Sequence, residues 1–144
     1  MTVSKRKNAS ATFLSTKFAT VAVDQDDLVA IEAANVSERI KTHAKRLVIK
    51  GISLAKAREM IRAGKNPFKC LDSRSNSAFI LVFDELIKRQ MIRKSDVAEM
   101  IMKEKRCGKV SASSRVSDAL GVGQLIGVVT LTKYTAALTL EETA

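Results

Sequence analysis

A chain of 144 residues with one proline, six glycines and no tryptophan lacks the punctuation that sandwiches and barrels consume at each turn. That scarcity excludes an all-β architecture and predicts a mainly α fold. Apolar residues make up 46% of the chain, enough for one packed core at this length and too much for a disordered polyelectrolyte. One domain with an arm fits the length, and a two-domain enzyme of ordinary size does not.

Acidic residues are missing before Asp24 and then arrive together at Asp24, Asp26 and Asp27. The segment 1–23, with Lys5, Arg6 and Lys7 near its start, reads as a basic flexible arm. Two alternatives stay open for it: a short strand over residues 19–23, and a presequence of mitochondrial type, since the segment is basic, Ser/Thr-rich and free of acids. Residues 24–70 form a basic helical region. Within it Leu28, Ile31, Val36, Ile40, Ala44, Leu47 and Val48 recur near every 3.6 residues, which predicts one helix ending at Gly51, long enough to dimerise but with an apolar face more simply read as core. Ser53 caps a second helix over 54–63, and Asn66-Pro67 makes a turn.

A third helix is expected over 78–90. Ser95 is placed as the cap of a fourth, which runs to about Lys105 and is followed by a loop through residue 110. A fifth helix should begin between Ser111 and Ser114, carry Val116, Ala119 and Leu120 inward, and give way to Gly121 and Gly123. Val129, Leu131, Leu138 and Leu140 alternate with threonines, the pattern of two half-buried strands joined through residues 133–135.

Helix, short helix, turn, helix and hairpin in that order, over residues 78–141, resembles the winged helix-turn-helix DNA-binding superfamily. The residues that carry the likeness are Val110-Ser-Ala-Ser-Ser-Arg-Val-Ser-Asp-Ala-Leu, then Gly123-Gln-Leu-Ile-Gly and the Thr/Leu hairpin. It is a likeness of fold covering half the chain, and it makes residues 71–144 a winged-helix-like region, alone or as one compact unit with 24–70. It implies a recognition helix whose Ser113, Ser114, Arg115 and Ser117 meet a groove, and a wing with Lys133 at its tip. Hydroxyls bond phosphates or bases, and arginine pairs with guanine in two-point fashion. Helix capping is the competing account of the serine run.

The formal net charge is +10, and its excess is local. From Arg39 to Lys69 there are ten cations and one acid, Glu59. Lys41, Lys45 and Arg46 are expected to form one cationic ridge, and Arg58, Arg62 and Lys65 a second. Lys103, Lys105, Arg106 and Lys109 precede the proposed recognition helix. A solvated face that keeps the chain soluble is the plain alternative.

No catalytic constellation, metal set or cofactor motif is legible. His43 is the one histidine, Cys70 and Cys107 read as reduced thiols, and Gly121-Val122-Gly123 is too short for a dinucleotide loop. No apolar run approaches the roughly 18 residues that would cross a bilayer. The sequence therefore leads to a cytoplasmic, homodimeric, sequence-specific DNA-binding protein without enzymatic activity, a transcriptional regulator or repressor of bacterial, phage or plasmid type whose partner is duplex DNA. An RNA-binding or ribosome-associated protein is the second expectation. A protein-interaction adaptor, such as an antitoxin or a phage inhibitor of a host enzyme, is the third.

Overall fold

Side-chain caps set the first three helices. Asp24 accepts from the Asp27 amide at the head of α1 (Gln25–Ala33), Ser37 from the Ile40 amide at the head of α2 (Glu38–Ile49), and Ser53 from the Lys56 amide at the head of α3 (Leu54–Arg62). The computed structural model describes residues 24–71 and 77–139, so the expected arm with Lys5, Arg6 and Lys7 lies outside the described residues. The single long helix expected from Leu28 to Val48 is two. Ala34 turns extended, at φ −68° and ψ 142°, and Ser37 restarts the chain. The apolar period runs across this break because Ile31 and Ile40 both turn inward, so periodicity alone hides it. The two pieces have nine and twelve residues.

Asn66 and Pro67 then turn the chain through a 3-10 segment, Pro67–Cys70. Asn66 is buried and fully used: its Oδ1 accepts from the Phe68 amide at 3.0 Å, and its Nδ2 donates to the Ile80 carbonyl at 2.9 Å and to Asp84 at 3.1 Å.

The second half alternates helix and strand: α4 (Ser77–Arg89), β1 (Met91–Arg93), α5 (Lys94–Lys105), α6 (Lys109–Ile126), β2 (Val129–Leu131) and β3 (Thr135–Leu138). Gln90, at φ 67°, turns α4 directly into β1. That strand was not foreseen. It pairs antiparallel with β3, Ile92 opposite Ala136, while β2 pairs with the other edge of β3, giving the order β1-β3-β2. The hairpin turn is Thr132 to Tyr134, with Thr135 already in the strand, and the Thr132 hydroxyl accepts from the Thr135 amide at 3.0 Å.

β1 also displaces Ser95 from its expected capping role. The Lys94 amide donates to the Tyr134 carbonyl at 2.9 Å, so Arg93 holds the extended cap position and Ser95 falls inside α5. The loop expected through residue 110 shrinks to Arg106, Cys107 and Gly108. Arg106 is left-handed at φ 51° and Gly108 is the extended cap of α6, so the helix opens at Lys109. Its serines lie within the first turns and none of them caps it. Nor do Gly121 and Gly123 end the helix, because each admits a neighbour. A β-carbon at Gly121 would lie 2.3 Å from Ile40 Cδ1, and one at Gly123 would lie 2.4 Å from Val129 Cγ2.

The fold is thus mainly helical with a small antiparallel sheet that includes the C-terminal hairpin. One continuous buried cluster joins Leu47, Ala57 and Ile61 to Phe83, Leu120 and Ile126. Rings form its centre, with Phe68 4.7 Å from Phe83 and 5.2 Å from Phe79. Among the described residues no helix is long and apolar enough to cross a membrane.

Candidate nucleic-acid interface

Helix α6 is the element on which the expected groove contacts depend, and its pitch decides which side chains can act together. At 100° per residue, Val110, Ser113 and Ser117 fall on one side, followed by Gln124. All are exposed, Val110 to 85%. Ala112, Val116, Ala119 and Leu120 are buried against the rest of the molecule. Arg115, two residues from both Ser113 and Ser117, projects from the far side of the helix and is half-buried. It does not join them.

Helix α2 covers part of the remaining surface. Ile40 packs on Gly121, and the Arg39 guanidinium bonds Ser114 Oγ and pairs with Asp118 at 2.6 Å. Ser114 is therefore already engaged. What stays open on α6 is its amino-terminal end. No acid lies in the first turn, no side chain caps it, and Arg106 and Lys109 stand exposed beside it. Free amide groups at a helix start favour an anion, and two cations add to that preference.

The β2–β3 turn carries Lys133 and Tyr134, both exposed, with the ammonium 5.3 Å from the centre of the ring. Lys94 Nζ donates to the Lys133 carbonyl at 3.4 Å, which ties the turn to the start of α5. Arg93 is exposed alongside.

The two ridges expected in the basic helical region are largely occupied. Lys41 is only 12% exposed in its side chain, donates to the Glu32 carbonyl and pairs with Glu38; Lys45 pairs with the Glu32 carboxylate. These two lysines fasten α2 to α1, and Lys45 holds the Glu32 carboxyl below its usual range. On α3, Arg58 donates to the Ile126 carbonyl at 3.0 Å, where a cation meets the negative end of α6. Lys69 pairs with Asp84. Lys50, Lys56 and Lys65 are exposed, whereas Arg62 is half-buried. The acids that answer the local excess come from outside the window in which it was counted.

His43 is not the surface residue that its cationic neighbours imply. Its ring stacks on Phe79 at 4.4 Å and is half-buried. Burial, then the Arg46 charge, pushes its pKa down. Cys70 and Cys107 are free thiols; Cys107 is part-buried and lies 4.0 Å from the Ile101 carbonyl, within sulfur hydrogen-bond reach. Among the described residues no cluster of His, Cys, Asp and Glu could hold a metal ion.

Several exposed groups lay outside the sequence expectation: Val110 and Gln124 on α6, Arg93 beside the hairpin, and Tyr134 at its tip. Gln124 was within reach of pitch, since it stands seven residues after Ser117. Arg93 needed β1, which carries no turn signal of its own. No family model, curated protein or solved structure matches this chain.

Proposed function

We propose that residues 77–138 act as a winged-helix unit that binds duplex DNA, with α6 as the reading helix and the β2–β3 hairpin as the wing. The observation that carries this is the topology: helix, strand, helix, helix, strand, strand, with β1 and β2 on opposite edges of β3. The three-residue turn containing Gly108 adds support, since helix-turn-helix pairs are joined by about three or four residues that often include glycine.

In this reading Val110, Ser113 and Ser117 meet base edges in the major groove. Valine suits a thymine methyl, the serines suit several acceptors, and Gln124 has the two-point geometry for adenine. Arg106, Lys109 and Lys133 hold phosphates and fix orientation. Lys105 is half-buried and stands at the edge of this group. The role is regulatory, as in a repressor, and a homodimer supplies two reading helices for a two-part site.

Titration with duplex DNA, duplex RNA and single strands at about 50 and 200 mM salt tests the proposal. Duplex DNA should bind tightest and weaken steeply with salt. Preference for duplex RNA moves the protein to the RNA-binding reading. A specific observation favours the adaptor reading as well: Val29 and Ile49, 68% and 56% exposed, line a shallow apolar depression between α1 and α2 with Leu28 and Ala33. The absence of salt-sensitive binding to any nucleic acid would leave that one standing.

A further inference from the structure

We infer that Arg39, outside the winged-helix unit, is a phosphate-contacting residue held ready by Asp118. This rests on the duplex-DNA reading above and extends it to a side chain contributed by α2.

The geometry of the guanidinium carries the argument. Arginine has five N–H donors in a fixed plane. Nε donates to Asp118 Oδ2 at 3.2 Å, and Nη2 donates to the same oxygen at 2.6 Å and to Ser114 Oγ. Those bonds consume the Nε hydrogen and both hydrogens of Nη2. The two hydrogens on Nη1 have no acceptor among the described residues. Asp118 is the sheltered member of the pair, with a side chain 15% exposed against 64% for Arg39. The carboxylate thus holds the guanidinium from its sheltered side while most of the Arg39 side chain stays exposed.

Position argues the same way. Ser114 and Asp118 lie one turn apart on α6, and Ser114 is flanked in sequence by Ser113 on the open side. Asp118 alone would place a negative charge on the reading helix. Arg39 cancels it and leaves two donors at the helix surface, where a backbone phosphate would pass beside α6. An arginine held in this way loses less side-chain freedom on binding than a free lysine does.

The test uses salt titrations of a short random-sequence duplex with the full chain and three variants, together with their melting curves. Neutralising one phosphate contributes about 0.9 to the salt slope. Arg39→Ala should reduce the slope by about 0.9, and Arg39→Lys should restore most of it. Asp118→Asn keeps the cation and deletes the carboxylate charge beside it, so the slope should stay at or above that of the native chain. A purely structural role for Arg39 predicts that Arg39→Ala and Asp118→Asn lose affinity alike with slopes unchanged, which overturns the inference and spares the DNA reading. A native chain without salt-sensitive duplex binding overturns both. If Arg39→Ala melts early, comparison of Arg39→Lys with Asp118→Asn still separates charge from support.

Discussion

The substitution Gly121→Ala asks whether α2 truly rests on α6. In an open helix interior, alanine is more stable than glycine by about 0.5–1 kcal/mol. Here the added carbon would lie 2.3 Å from Ile40 Cδ1 and 3.0 Å from its Cγ1. Rotating the Ile40 tip clears the nearer atom but not the second, so either the side chain leaves its rotamer or α2 shifts. Off-rotamer strain costs about 0.5–1.5 kcal/mol and overpacking about 1–3 kcal/mol. The net effect in the native chain is a loss of roughly 0.5–2 kcal/mol after the propensity gain is subtracted. With Ile40→Ala as background the obstacle is gone, and the same change should stabilise by about 0.5–1 kcal/mol. Urea denaturation of the four proteins yields a coupling of about 1–3 kcal/mol. Equal stabilisation in both backgrounds would refute the packing of α2 against α6, and with it the covering of the surface near Ser114.

Three further outcomes follow from individual side chains. His43 is held below its ordinary pKa, so the unfolded chain binds the proton more readily, and stability should fall as pH drops through about 6.5; His43→Gln should flatten that part of a Tm-against-pH curve. Asn66→Ala removes three hydrogen bonds at a buried turn and should cost about 2–4 kcal/mol in urea denaturation, whereas a cost near zero would mean the turn is held by Pro67 alone. Val110→Asp places an acid on the open end of α6 at a site 85% exposed, so Tm should hold while duplex binding is lost; unchanged binding would remove that face from the interface.

Much of the helical layout was legible because caps and periodicity are local. Ser53 says where α3 starts, Gly51 and the charged end of α4 say where elements stop, and the threonine alternation says where the hairpin lies. One miss is local: Ser37 caps α2 and breaks the first helix without disturbing its apolar period. The others arise where a distant contact decides. Gly121 and Gly123 look like terminators until Ile40 and Val129 are seen to need the space. β1 is three residues long and becomes a strand only because β3 offers it an edge.

The charge pattern misled for a related reason. A window from Arg39 to Lys69 holds one acid, but Glu32, Glu38, Asp84 and Asp118 fold back onto it. The exposed cations near α6 and the hairpin, Arg39, Arg93, Lys103, Arg106, Lys109 and Lys133 among them, come from several separate segments of the chain. Pitch alone separates Arg115 from Ser113 and Ser117, and that much was readable before folding.

Amide chemical-shift mapping of the labelled chain during titration with duplex DNA would show which face of the protein meets the duplex. Shifts should concentrate at the start of α6, from Lys109 to Ser117, and at the hairpin turn from Thr132 to Tyr134. Shifts confined to α1 and α2 around Val29 and Ile49, with α6 and the hairpin silent, would contradict the reading of α6 and the hairpin as the DNA interface.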